Sequence, residues 1–344
     1  MSDTTHDEHL SLTRGKPPIA GFWYRVVSFL IDSVILAAPA YLLGFMFFQF
    51  AENLGQGGRV FGFIVALLYF GLLDSRIGNG QTIGKRLLQI RVVDHQGQTL
   101  SLSRSVLRFL ILAVPYFLNG VWFNADTSNP ALTTKLAGAL LVWIVFGGLG
   151  ALGYLFVFNR RTRQSLHDLA VGSFVVESTE PVTQIDLPVP RLHRVLVSAW
   201  LVLALIVPVV AVFVVPPSQF ASLRPLEELR HALGNQLALS QVKVTSGSTH
   251  FVMTGGNAST TTFLQVDAQG RGRSREDDDA LERSIAGVVL ALHPDLLGNM
   301  FLVVTVTHGF DLGIVAWHVR YKNSLSAADW QKKLEQVRPQ QNKR

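Results

Sequence analysis

The chain of 344 residues is 49% hydrophobic with a mean hydropathy of +0.31, long enough for two domains and too apolar for an ordinary soluble globule. Its net charge of +6 does not point to nucleic acid, because basic residues in a membrane protein chiefly set topology. The absence of cysteine excludes disulfides and thiolate metal sites.

Residues 1–19 form a polar tail with Ser2, Asp3, Thr4, His6, Asp7, Glu8 and His9. This is not the basic, short-core pattern of a cleaved signal peptide, so the tail is expected to stay on the chain. His6 and His9 beside Asp7 and Glu8 give a divalent ion little preorganisation in an untethered segment, and neither a metal site nor a cofactor is expected.

A first membrane span fits Val26 to Phe50, with Trp23 and Tyr24 as interfacial anchors, Arg25 at its mouth and Asp32 and Pro39 inside it. A second fits Leu54 to Leu73, closing on Asp74, with Arg59 snorkelling at one end. A third, Val106 to Phe123, carries Arg108 and Pro115. The uncharged runs Leu136 to Phe158 and Val195 to Val215 are the firmest spans, each long enough at about 1.5 Å per residue to cross a core of about 30 Å.

With the N-terminus in the cytoplasm and all five spans crossing, Arg76, Lys85, Arg86, Arg91 and Arg104, then Arg160, Arg161, Arg163, Arg191 and Arg194, fall inside. Only Arg59 and Lys135 fall in the outer loops, as the positive-inside tendency requires. The fold class expected is therefore an α-helical integral membrane protein of about five spans with a C-terminal α+β soluble domain. Its parts are the tail 1–19, a four-helix membrane domain 20–178, a basic cytoplasmic linker 179–194, a fifth transmembrane helix 195–215 and an extracytoplasmic domain 216–344.

In that last domain Arg224 to Leu239 has helical periodicity, and Gln241 to Met253 and Thr260 to Val266 read as strands around a Gly255-Gly256-Asn257 turn. Arg275 to Leu292 opens on Glu276, Asp277, Asp278 and Asp279, which suit a helix N-terminus, and Pro294 ends it. Phe301 to Thr307 and Ile314 to Tyr321 alternate across a turn containing Gly309 and Gly313. A final amphipathic helix follows Ser326 through Trp330 to Val337.

An ionisable group inside a span is a functional candidate because it is costly to keep there. Asp32 follows Arg25 by seven residues, on nearly the same helix face but roughly 10 Å away along the axis, too far for direct contact. Asp74, at the inner end of the second span, has the depth to meet Arg25. Two readings of these charges stand: mutual neutralisation that fixes helix packing, and a cation or proton pathway through Asp32.

The loop Gly78-Asn79-Gly80-Gln81-Thr82-Ile83-Gly84-Lys85-Arg86 does not meet the phosphate-loop requirement. Neither glycine pair encloses four residues, and Arg86 stands where Ser or Thr should hold magnesium. It reads instead as a turn launching an interfacial segment, Leu87 to Val93, with Lys85 and Arg86 toward lipid phosphates. His167-Asp168 reads either as a proton relay or as an element boundary. The C-terminal domain holds no G-x-S-x-G elbow and no H-E-x-x-H helix, so no catalytic set is expected.

The membrane half resembles the RDD family of membrane proteins, named for one arginine and two aspartates. The likeness begins at Ala20-Gly21-Phe22-Trp23-Tyr24-Arg25, with Arg25 and Asp32 matching the first two letters. It continues through Gly80-Gln81-Thr82-Ile83-Gly84-Lys85-Arg86, Ile90-Arg91-Val92-Val93-Asp94 and Gly97, and ends at Ser165-Leu166-His167-Asp168, with Asp168 the third letter. It covers roughly residues 17–178 and implies a bacterial-type inner-membrane protein. For the family, transport of unknown ligands has been proposed, with sodium/proton antiport suggested for a member. The resemblance also makes a cluster of Arg25, Asp32 and Asp168 on the inner side an expectation.

The expected function is handling of an ion or small solute, for example by cation/proton exchange. Its rivals are a scaffold whose outer domain binds an envelope partner, and a membrane enzyme using His167 and Asp168 on an interfacial substrate. Enzymatic activity is not the expectation. The expected partners are the lipid bilayer, further copies of the chain and, for 216–344, an envelope protein. Gly147 and Ala151 are spaced for close helix approach.

Overall fold

The computed structural model describes residues 18–121, 131–179, 182, 184–216, 223–237, 239, 241–252, 258–270, 275–292 and 300–336. The chain forms two compact units, a membrane unit through Val214 and a C-terminal unit built from Val215–Phe310 and Trp317 onward.

The membrane unit opens with helix α1 (Phe22–Met46), which starts earlier than the apolar pattern alone indicates and takes in Trp23, Tyr24 and Arg25. Phe47 breaks it. α2 (Phe48–Leu54), a short 3-10 turn and α3 (Gly58–Leu73) then run on as one apolar stretch. α4 (Ile83–Leu87) is short and starts at Thr82, whose hydroxyl accepts from the Lys85 amide. Strand β1 (Ile90–Asp94) follows it.

α5 (Leu102–Leu118) starts four residues before the sequence reading, because the Ser101 side chain accepts from the Arg104 amide and begins the helix there. The expected end at Phe123 lies outside the described residues. α6 (Leu132–Val142) and α7 (Gly148–Phe158) are joined through a π-helical turn, and α9 (Arg191–Val214) is the last long apolar helix.

Among the described residues four helical stretches are long and apolar enough to cross a membrane: Phe22–Met46, Phe48–Leu73, Leu132–Phe158 and Arg191–Val214. The shorter α5 has 17 residues. It lies antiparallel to α3, with Phe70 stacked on Phe109 at 5.2 Å and Phe63 edge-on to Phe117 at 5.2 Å. Most of the large apolar side chains of α1 and α9 face outward, as lipid requires and water does not.

At one end of the bundle lies a layer that lipid-exposed backbone could not form. Between α7 and α9 come α8 (Leu166–Val171) and β2 (Ser173–Glu177). β2 pairs antiparallel with β1, placing Val92 opposite Val175, and the chain before α1 joins it through Ala20 N–H to the Val175 carbonyl at 2.9 Å. Ala20, Ile90, Val92, Leu100, Val171 and Val175 form its core. The expected interfacial segment Leu87 to Val93 is therefore exposed only at its start: its second half is a strand with buried Val92 and Val93. Gly80 permits the turn into this layer, with φ of +70° and Val92 O only 2.4 Å from where a Cβ would stand.

The C-terminal unit is α+β. Its sheet has the order β3-β4-β5-β6 (Val242–Val252, Ala258–Gln269, Phe301–Asp311, Ala316–Ser326). β3 and β4 are antiparallel, whereas β4 and β5 are parallel, which requires the crossover helix α11 (Arg275–Leu292). α10 (Arg224–Gln236), α11 and α12 (Ala327–Glu335) enclose Leu229, Leu233, Leu264, Ile285, Leu302 and Trp330. Ser326 caps α12 through the Asp329 amide, as its position before the amphipathic run suggests. Gly309 is not part of a turn, since it lies within β5, and the reversal is closed by Leu312 N–H to Val315 O at 2.9 Å. The expected Gly255-Gly256-Asn257 turn, Met253, Pro294 and Val337 lie outside the described residues.

Candidate functional site

The layer at the helix ends carries three buried carboxylates and three buried cations, each placed by a different element. Arg25 comes from the first turn of α1 and Asp32 from two turns further on. Asp74 ends α3, Lys85 sits in α4 and Arg108 lies one and a half turns into α5. Asp168 is the N3 residue of α8, where its carboxylate and Ser165 make a reciprocal capping box. Gly172, with φ of +62°, ends that helix and leads directly into β2.

Five of these groups form one chain of charge. Arg25 Nη2 donates to Asp168 Oδ2 at 2.7 Å, and Arg108 donates to Asp168 Oδ1 from Nε at 2.9 Å and Nη2 at 2.8 Å. The same guanidinium reaches Asp74 Oδ2 through Nη1 at 2.8 Å. Lys85 Nζ holds both Asp74 oxygens, at 2.6 and 2.8 Å. Asp74 therefore pairs with Lys85 and Arg108 and not, as its depth suggested, with Arg25. Lys85 is also buried and does not face lipid phosphates, whereas Arg86 is exposed. The physical reason is that Asp74 offers Lys85 a carboxylate partner inside, where an unpaired ammonium is too costly to hold.

Asp32 stands apart from the ion pairs. It accepts from Tyr69 Oη at 2.7 Å, Thr82 Oγ1 at 2.6 Å and the Gly84 amide at 2.8 Å, all neutral donors. It thereby clamps the start of α4 onto α1. Gly84 makes this possible, because a Cβ there would lie 2.2 Å from the Ser28 carbonyl oxygen. So Gly80, Thr82, Gly84 and Lys85 of the loop motif all serve the cluster, two through backbone space and two through side chains.

His167 is 5% exposed and lies 3.5 Å from Asp168 Oδ1 through Nε2, while its Nδ1 has no hydrogen-bond partner among the described residues. Burial pushes its pKa down to about 3, with Arg108, Arg25 and Lys85 acting in the same sense against Asp168. Burial likewise lowers Lys85, opposed by Asp74. For Asp168 burial acts upward, but His167, Arg108 and Arg25 outweigh it and hold the carboxyl well below the usual range. With His167 neutral at pH 7, the two guanidiniums carry that effect.

Above the cluster is a cavity of about 340 Å³, lined by Arg25, Asp32, Asp74, Lys85, Arg108 and His167 on one side and by apolar side chains of α1, α5 and α7 on the others. Arg108 was noted in the sequence only as a charge inside the third span. The rule that made Asp32 a candidate, that a charge within a span requires a reason, applies equally to it. Tyr69 had no such signal. No group of three or more metal-ligating side chains occurs among the described residues.

Residues 19–172, which contain every member of this cluster, match the model of the RDD family. This part of the chain belongs to the RDD family. Two Bacillus subtilis (strain 168) proteins, both described as uncharacterized, are similar to it. YckC is 29% identical over 161 residues, covering 46% of this chain and 85% of YckC. YxaI is 26% identical over 125 residues, covering 30% of this chain and 80% of YxaI. No solved structure matches. In the RDD region, two of the three residues that match the family's letters, Arg25 and Asp168, are in direct contact, and the third, Asp32, holds the neighbouring loop. The chain is a membrane protein whose residues 19–172 match this family, with an α+β region after them.

Proposed function

We propose that the RDD unit binds a small solute in the cavity beside its charge cluster and moves it across the cell membrane. The observation behind this reading is the juxtaposition of a cavity of about 340 Å³ with six ionisable groups at the ends of membrane helices, since such groups are retained in apolar surroundings chiefly where they do something. Cation/proton exchange is one form of it and rests on Asp32, the carboxylate of the three with no ion pair among the described residues. The test is sodium- and potassium-dependent proton flux in vesicles containing purified wild type, Asp32→Asn and Asp168→Asn. Flux that disappears in well-folded Asp32→Asn supports exchange, and full flux in that variant removes Asp32 from the pathway.

For topology we infer five crossings with the N-terminus in the cytoplasm and the C-terminal unit outside. Supporting this, α5 runs alongside α3 from the level of Phe70 to that of Phe63, and at about 1.5 Å per residue its 17 residues extend about 25 Å. A helix that short crosses with help from local thinning of the bilayer and snorkelling of its flanking residues.

One observation favours the scaffold reading: two acids paired with three bases, beside a third acid held by neutral donors, is also what a pure packing network needs. In that case the partner is an envelope protein bound by 216–344, and a crosslinked partner would be lost on truncation after Val215. An acid-base role for His167 at neutral pH fits less well, because a general base works best with a pKa near the working pH.

A further inference from the structure

The cluster's acids and bases are not equally available to the cavity. Asp168, Asp32 and Asp74 are 0%, 1% and 2% exposed, whereas Arg25, Lys85 and Arg108 are 9%, 9% and 6% exposed. A carboxylate has about four acceptor positions. Asp168 accepts from Arg25, twice from Arg108, from the Ser165 amide and from Ser173 Oγ, so it has none to spare. Asp32 and Asp74 each accept three bonds. Arg25 is the opposite case. It has five N–H groups, yet among the described residues its side chain donates one hydrogen bond, to Asp168, while its guanidinium stands 5.4 Å from the centre of the Phe156 ring. The charges sum to zero, and Asp32 and Asp74 line the cavity along with Arg25, Lys85 and Arg108, so the preference of the site is set by which charged groups keep hydrogen-bonding capacity toward it; the largest unspent capacity is in the N–H groups of Arg25.

The rest of the cavity is apolar, with walls of Phe29, Leu30, Phe70, Phe109, Leu112 and Phe156. Phe29 and Leu30 are 50% and 55% exposed on the outer side of α1, so the cavity borders the lipid phase. Gly153 of α7 also lines it, and a Cβ there would meet no atom within 4 Å.

From this asymmetry we infer that the cavity takes a single-chain amphiphile with an anionic head drawn from the bilayer, its chain against the phenylalanines and its carboxylate on the unspent donors of Arg25. A planar guanidinium matches a carboxylate in geometry, and the apolar walls offer an alkyl chain a surface to bury against. The inference rests on the reading of this cavity as a binding site, but not on transport.

The experiment is native mass spectrometry of the full chain released from detergent micelles containing dodecanoate, dodecylamine or acetate. One dodecanoate per chain is expected, without dodecylamine or acetate adducts at equal concentration. Gly153→Phe, which fills the cavity and leaves every charged residue in place, should weaken dodecanoate binding about tenfold or more. Arg25→Gln should do the same, and Gly138→Phe, at a site that opens on no neighbour and does not line the cavity, should not. Equal binding of dodecylamine, binding of acetate alone, or dodecanoate binding insensitive to Gly153→Phe would each overturn the inference. Dodecanoate bound without any vesicle flux defeats transport and leaves the inference standing; flux without a dodecanoate adduct does the reverse.

Discussion

Arg108→Leu removes the cation that joins two acids. The guanidinium donates three hydrogen bonds, two to Asp168 and one to Asp74, from a residue only 6% exposed. Leucine keeps much of the apolar stem but leaves both carboxylates short of a partner. Breaking a buried ion pair from one side costs about 3–5 kcal/mol. Here Asp168 keeps Arg25, the Ser165 amide and Ser173 Oγ, and Asp74 keeps Lys85, so the lower end, about 3 kcal/mol, is expected. Adding Asp74→Asn rebalances the cluster to two acids and two bases and should recover about 1 kcal/mol or more as a non-additive term. Arg108→Lys, which keeps the charge but not the fork that reaches two acids, should fall between. The assay is reversible unfolding of the purified protein in mixed detergent micelles, followed by tryptophan fluorescence. Arg108→Leu within about 0.5 kcal/mol of wild type would show that the cluster does not stabilise the fold, and strict additivity with Asp74→Asn would show that these two residues are not coupled.

His167 should make the protein acid-sensitive. Its folded pKa of about 3 lies below the ordinary histidine value, so between the two the unfolded chain holds a proton that the native state does not. Stability from this group is therefore complete above about pH 6.5 and falls by up to about 1.4 kcal/mol per pH unit on acidification. Asp168, also depressed, adds a loss of the same sign below about pH 4. The melting temperature should drop between pH 7 and pH 5 in wild type and much less in His167→Gln; parallel profiles would remove His167 as the cause. Gly84→Ala places a methyl 2.2 Å from the Ser28 carbonyl oxygen and 3.0 Å from the Asp32 carboxylate, and should cost about 1–3 kcal/mol by prising α4 from α1. An unchanged melting temperature for Gly84→Ala would mean that the loop is free to shift and that Asp32 does not clamp it.

The amino-acid sequence determined by itself that this is a membrane protein, because uncharged runs such as Leu136 to Phe158 have one stable form in lipid, and helical hydrogen bonding is local. It also marked Arg25, Asp32, Asp74, His167 and Asp168 as costly or unusual residues, and the loop around Gly80 and Gly84 as more than a linker. The Ser326 cap and the strand at Phe301 to Thr307 were legible for a similar reason, since both signals act over a few residues, but the expected alternation there was not found: Leu302 to Val306 are all buried, as in a strand covered on both faces. What only the tertiary structure decided was pairing at long range. Arg25 and Asp168 are 143 residues apart, and Asp32 and Gly84 are 52 apart, so no local spacing encodes their meeting. Arg108 could be seen as a charge but not as a bridge, since its two partners arrive on different elements. The choice of Lys85 over Arg25 as a partner of Asp74 depends on the β1–β2 layer, which pulls the glycine loop under the helix ends and buries an ammonium that could not stay there unpaired.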